Sequence, residues 1–238
     1  FNGRQANVFF HKPLESEEIF TQKKSSSHLV LKTDRLLRAR FRKNRQAKLG
    51  PDISNKRTLI HSILNSSSVK KEISNFSKGS KKVEAAQNKR AYKYALEICS
   101  DISYPVIYLY DKALNWFWNN RYDGLEIIGI EKISDLAVGN SLIYTPSHRS
   151  HIDYLALSFK LYTNNLMLPQ IVAGKNLNLP VLGRILRNGG AFFMRRSFGA
   201  NKLYSKVFFE HLRKLFQRGY SIEFFPEGGR TRTGRLLS

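Results

Sequence analysis

The sequence predicts an α/β protein: a mixed, largely parallel sheet flanked by helices, preceded by a mainly helical, basic N-terminal region. Three observations carry that expectation. After Gly124, short apolar runs bounded by Gly and Pro alternate with segments of helical periodicity, as strand–helix–strand units require. The apolar content, 42% of 238 residues, is enough for a sizeable core in one large domain with an extension. The charge is uneven, with 22 basic and 8 acidic side chains in residues 1–100 against 18 and 10 in residues 101–238. That contrast sets the N-terminal part apart from the remainder.

In chain order, residues 1–64 read as the basic, mainly helical region. Its basic run from Arg35 to Lys48 has no acidic residue and carries Leu36, Leu37 and Phe41 between the charges. Such a run is either a solvated helix face or a surface for anionic lipid. Residues 58–64 form a short helix with Leu59, Ile60, Ile63 and Leu64 on one face, which leaves His61 on the other. Residues 65–82, rich in Ser, Lys and Asn, read as a polar linker or an exposed polar segment. The segment 83–238 is then the main domain, expected to be incomplete at its C-terminus.

Within that domain a helical pattern runs from Val83 to about Asn120 with a break near Pro105. Its aromatic second half either packs on the domain or rests in a membrane interface. Leu125–Ile130 reads as a strand, Glu131–Val138 as a short helix, and Ser141–Pro146 as a strand closed by proline. Leu155–Tyr162 is an apolar helix, Leu168–Ala173 a strand and Leu177–Arg187 a helix weakened by Pro180 and Gly183. Ala191–Met194 is a short strand, Leu203–Arg218 an amphipathic helix stopped at Gly219, and Tyr220–Phe225 a last strand.

The net charge of +22 favours phosphate-bearing partners: nucleic acid, anionic lipid or phosphorylated small molecules. Cys99 is the only cysteine, so an internal disulfide is excluded and a reducing compartment is expected. No stretch has the length and apolarity of a membrane-spanning helix. The chain begins at Phe1, shows no signal pattern and stops just after a glycine-rich basic loop, so both ends are expected to be cut.

Three loops carry residues with chemical potential. His148 follows a strand at a turn, and Asp153 lies five residues on, in the first turn of the next helix. A carboxylate so placed can fold back on the imidazole, fix its tautomer and stabilise its charged form, giving a general base without a nucleophilic Ser or Cys. Arg195 and Arg196 end the strand Ala191–Met194, where paired guanidiniums can hold a phosphate. In Glu227-Gly228-Gly229-Arg230-Thr231-Arg232-Thr233-Gly234-Arg235, glycines let backbone N–H groups approach an anion while arginines supply charge. Glu227 can anchor an arginine or a substrate hydroxyl. A metal site at His148, His151 and Asp153 lacks further ligands nearby in sequence.

Together, His148-Arg149-Ser150-His151-Ile152-Asp153-Tyr154, Gly190-Ala191-Phe192-Phe193-Met194-Arg195-Arg196 and Glu227-Gly228-Gly229-Arg230-Thr231-Arg232 resemble the glycerolipid acyltransferases. The likeness is strongest over about residues 105–238. It is closest to the bacterial, membrane-associated branch that acylates the 1-hydroxyl of glycerol 3-phosphate. The resemblance implies a glycerolipid acyltransferase-like fold, a catalytic pair His148 and Asp153, and glycerol-3-phosphate contacts from Phe193, Arg195, Arg196, Glu227, Gly228 and Arg230. It implies an acyl-CoA or acyl-carrier-protein donor, no cofactor and no metal. It further implies a peripheral location on the anionic cytoplasmic face of the inner membrane. Thr231 stands where many relatives carry Ser, which keeps the hydroxyl.

Two other functions compete. A dihydroxyacetone-phosphate acyltransferase would carry much the same motifs. A basic nucleic-acid-binding module would suit the charge, but no helix-turn-helix, zinc-finger or RNA-binding aromatic signature supports it, so no nucleic acid is expected. Glu227-Gly228-Gly229-Arg230 in place of Glu-Gly-Thr-Arg argues against a lysophosphatidate acyltransferase.

Overall fold

A computed structural model describes residues 29–30, 32–38, 56–150, 152–197 and 199–231. The chain divides into two units, residues 1–43 and 44–238. In the first, residues 29–30 and 32–38 are helical, and Asp34 pairs with Arg38 one turn later at 2.8 Å. Most of the basic run Arg35–Lys48 lies outside the described residues.

The second unit opens with three helices: α1 (Lys56–Leu64), α2 (Ser67–Ser77) and α3 (Lys81–Ile98). α4 (Tyr104–Arg121) and α5 (Ile130–Ala137) lead into β1 (Ile143–Tyr144). There follow α6 (Asp153–Thr163), β2 (Gln170–Gly174), a 3-10 turn (Lys175–Leu177), α7 (Leu182–Asn188) and β3 (Ala191–Met194). α8 (Lys202–Gln217) and β4 (Ile222–Glu223) complete the order.

The four strands form one sheet in the order β1-β4-β2-β3, and every pairing is parallel. Ile143 aligns with Ile222, Gln170 with Ile222, and Val172 with Phe192. Among the described residues the sheet is thus parallel throughout, as expected when each strand is joined to the next through a helix. Before β3, Gly190 adopts φ +104, and a Cβ there would stand 3.2 Å from the Pro169 carbonyl oxygen. That position requires glycine.

The main core lies between the helices α1, α2, α3 and α8 and the strands β3 and β4, with Ile63, Val69, Ala91, Ile98, Phe192 and Val207 all fully buried. A smaller cluster joins Ala137, Leu161 and Leu166 to Ile133 and Tyr144. α4 buries Ile107 and Trp118 but leaves Tyr108, Leu109 and Trp116 more than half exposed. No described helix is long and apolar enough to cross a membrane. His61 faces solvent and meets Asn65 at 3.0 Å, in keeping with its polar-face position.

Two sequence expectations are corrected. The polar segment 65–82 is not a linker: α2 fills most of it and belongs to the same unit as the sheet. Ser66 caps the helix by accepting from the Val69 N–H, and Val69, Ile73 and Ser77 form a narrow buried stripe at four-residue spacing. So sparse a stripe is diluted in the composition by the serines and lysines around it. Leu125–Ile130 is not a strand, since no partner strand pairs with it among the described residues. Ile128 is 92% exposed, and Gly129 at φ 83 turns the chain directly into α5. The predicted helix 177–187 also starts late, at Leu182, because Pro180 removes a backbone donor.

Because Ile73 sits in the core, Ile73→Ala should cost about 2–4 kcal/mol in urea unfolding, against about 0.5 kcal/mol or less for a linker residue. Glu223 allows a second test. It is fully buried in the central strand, and neither carboxyl oxygen has a hydrogen-bond partner. Burial, and after it the charge of Asp153, pushes its carboxyl up from 4.5 to about 8. With its folded value raised, its contribution to stability is complete below about pH 4.5 and is lost as pH rises through about 8. Stability should therefore fall across that window by up to about 1.4 kcal/mol per pH unit, and Glu223→Gln should flatten the slope. An unchanged slope in the variant would show Glu223 to be ionised in the folded protein.

Candidate active site

Parallel strands end on the same edge of the sheet, so the segments leaving β1, β2, β3 and β4 emerge side by side. β4 lies beside β1, which brings the loop after Glu223 against the loop after Tyr144. Two hydrogen bonds join these loops: Glu227 Oε2 accepts from the His148 backbone N–H at 2.8 Å, and the Thr231 N–H donates to the His148 carbonyl at 2.8 Å. His148 is therefore fixed through its own main chain by residues almost eighty positions away. No local pattern announces that contact.

The five-residue offset works as expected. Asp153 opens α6, and its Oδ2 lies 3.3 Å from His148 Nδ1. The same oxygen accepts from the Arg149 and Ser150 N–H groups, each at 2.7 Å. An oxygen already accepting two N–H groups takes a third bond as acceptor, which assigns the proton to Nδ1 and makes Nε2 the basic nitrogen. The imidazole also rests on the Phe225 ring, with centroids 4.2 Å apart. Both side chains of the pair are partly buried, His148 14% and Asp153 24% exposed.

The edge opens into a cavity of about 1140 Å³, slightly beyond the roughly 300–1,000 Å³ common for small-molecule sites. His148, Arg196, Glu227, Gly228 and Arg230 all line it. Much of its wall is apolar, including Leu155, Phe159, Val172, Leu212 and Phe216. Gly228 takes φ +62, a left-handed conformation in which glycine carries no strain. The second carboxylate oxygen of Glu227, Oε1, is buried with no hydrogen-bond partner.

Two expected contact residues stand apart from the cavity lining. Phe193 is fully buried within β3, with the Arg187 guanidinium 4.5 Å over its ring. Arg195 turns to Glu97 on α3, donating from Nε and Nη2 at 2.7 Å each. Beyond the end of β3 the two neighbouring arginines therefore have different surroundings, Arg195 on Glu97 and Arg196 on the cavity. Glu97, Tyr94 and Tyr204 around Arg195 were missed in the sequence, since nothing local links residue 97 to residue 195. His151, Arg232 and Arg235 lie outside the described residues.

No cluster of metal-ligating side chains occurs among the described residues. Cys99 lies 3.5 Å from His211 Nδ1, but neither residue lines the cavity. Burial pushes the thiol up to about 12 and the imidazole down to about 3, so the pair is held neutral and no thiolate forms there.

Residues 125–238 match the acyltransferase family. Over 235 residues, 99% of its length, the chain is 47% identical to a glycerol-3-phosphate acyltransferase of Pseudomonas paraeruginosa. Over the same span it is 44% identical to one from Pseudomonas syringae pv. tomato and 43% identical to one from Ectopseudomonas mendocina. The chain spans 28% of the length of each of these relatives. The match over residues 125–238 covers all three cavity loops, and this part of the chain is a domain of the acyltransferase family.

Proposed function

We propose that the protein containing this chain transfers a fatty acyl group from an acyl thioester, acyl-CoA or acyl-carrier protein, to the 1-hydroxyl of glycerol 3-phosphate, giving lysophosphatidate. The observation that carries this reading is the meeting of three loops on one apolar-walled cavity: a base held by a carboxylate, two arginines, and a buried carboxylate oxygen. The relatives' shared name supports the choice of acceptor.

In this mechanism His148 Nε2 takes the proton of the 1-hydroxyl as its oxygen attacks the thioester carbonyl. The tetrahedral intermediate collapses with cleavage of the C–S bond, and the imidazolium returns the proton to the leaving thiolate. Asp153 holds the ring through Nδ1 and stabilises its charged form, a contribution typically of about 10²–10⁴-fold for general-base catalysis. Arg196 and Arg230 grip the phosphate, which presents the hydroxyl at attack distance. Glu227 Oε1 accepts a substrate hydroxyl, and the apolar wall receives the acyl chain.

Turnover of the full-length parent, measured with acyl-CoA and glycerol 3-phosphate, tests the base. His148→Ala should lose at least about 10²–10⁴-fold in kcat with an unchanged melting temperature. Asp153→Asn should come close to it, because an amide can donate to Nδ1 and so favour the wrong tautomer. Near-normal turnover by a folded His148→Ala enzyme would rule the mechanism out. For the acceptor, Arg196→Ala should raise KM for glycerol 3-phosphate by roughly 10–150-fold while sparing that for acyl-CoA. Lysine should rescue only in part, having lost the planar fork. Dihydroxyacetone phosphate should compete poorly; its preference over glycerol 3-phosphate would reassign the acceptor.

A further inference from the structure

Arg195 is the best-held side chain near the cavity, although it does not line it. Its guanidinium meets the Glu97 carboxylate fork on fork, Nε on Oε1 and Nη2 on Oε2, both at 2.7 Å. The rings of Tyr94 and Tyr204 flank the same guanidinium, with centroids 5.0 and 4.5 Å away. The Arg195 backbone N–H donates to the Tyr204 hydroxyl at 3.2 Å. Lys175 adds a cation 3.4 Å from Glu97 Oε2. Burial alone would raise the Glu97 carboxyl, but the hydrogen bonds from Arg195 and the charges of Arg195 and Lys175 hold it below its ordinary value.

Glu97 is itself anchored. It occupies the last turn of α3, where Arg187 donates to its backbone carbonyl at 2.6 Å and also to the carbonyl of Cys99. One residue beyond Arg195, Arg196 lines the cavity. With both backbone and side chain of Arg195 held, few backbone torsions remain to aim Arg196. From these contacts we infer that Glu97 is a positioning residue for the acceptor phosphate: through its fork on Arg195 it sets the direction of Arg196. This rests on the reading of Arg196 as a phosphate ligand. Glu97 lies in the helical segment before residues 125–238, so α3 supplies the brace for a site built by the acyltransferase part of the chain.

The test is a double-mutant cycle on the full-length parent, with kcat and KM measured separately for glycerol 3-phosphate and acyl-CoA. Glu97→Gln should raise KM for glycerol 3-phosphate by about 5–20-fold while kcat and KM for acyl-CoA move less than about twofold. In an Arg196→Ala background the same change should add less than about twofold, because the residue it positions is gone. Arg195→Lys, which keeps the charge pair but loses the fork, should give an intermediate rise. It provides the same reading if Glu97→Gln fails to fold. A fall in kcat with KM unchanged would reduce Glu97 to a folding contact and overturn the inference. So would a rise in KM that adds in full to that of Arg196→Ala. If Arg196→Ala alone left KM for glycerol 3-phosphate unchanged, the phosphate reading would fail first and take this inference with it.

Discussion

Parallel pairing of four short strands is the constraint on which the rest depends. A parallel sheet sends every strand's C-terminal end to one edge, so residues far apart in sequence emerge together there. The order β1-β4-β2-β3 then decides which loops touch. By inserting between β1 and β2, β4 sets the Glu227 loop directly on the His148 loop, where the Glu227 carboxylate and the Thr231 N–H both bond to the His148 backbone. β3 ends three strands from β1, about 14 Å at the usual strand spacing. That gap is bridged by the long reach of arginine and by whatever occupies the cavity.

The strands alone are too short to be stable, and the helices make up the difference. α1, α2, α3 and α8 enclose the larger core, burying Phe192 of β3 and Ile222 of β4 among aliphatic side chains. Polar groups inside are mostly satisfied in pairs. Ser100 donates to Gln170 at 2.5 Å, and Glu210 accepts from Ser68 and Arg213. Glu223 and Glu227 Oε1 are among the exceptions, and burial pushes the Glu223 carboxyl up to about 8.

Charge serves different ends in the two arginines that follow β3. Arg195 donates to Glu97 and packs against two adjoining tyrosine rings, whereas Arg196 lines the cavity. Adjacent identical residues just beyond β3 are thus divided between bracing and lining. The brace comes from a helix that precedes the acyltransferase match, so the helical segment is built into the site rather than appended to it.

Local signals in the sequence determined what local physics controls. The strand Ala191–Met194, the helix at 202–217 and the turn holding His148 over Asp153 follow from apolar periodicity, proline and glycine stops, and a five-residue offset. The three motifs likewise marked the cavity loops. Where burial rests on few residues, the composition misled: Val69 and Ile73 anchor a helix in a stretch dominated by serine and lysine. Where a strand needs a neighbour, an apolar run alone was not enough, as the unpaired segment ending at an exposed Ile128 shows. Only the tertiary structure decided that Glu227 would hold the His148 backbone and that Glu97 would take Arg195. Both contacts join residues 79 or more positions apart, and such pairings are set by strand order and helix packing rather than by any local pattern.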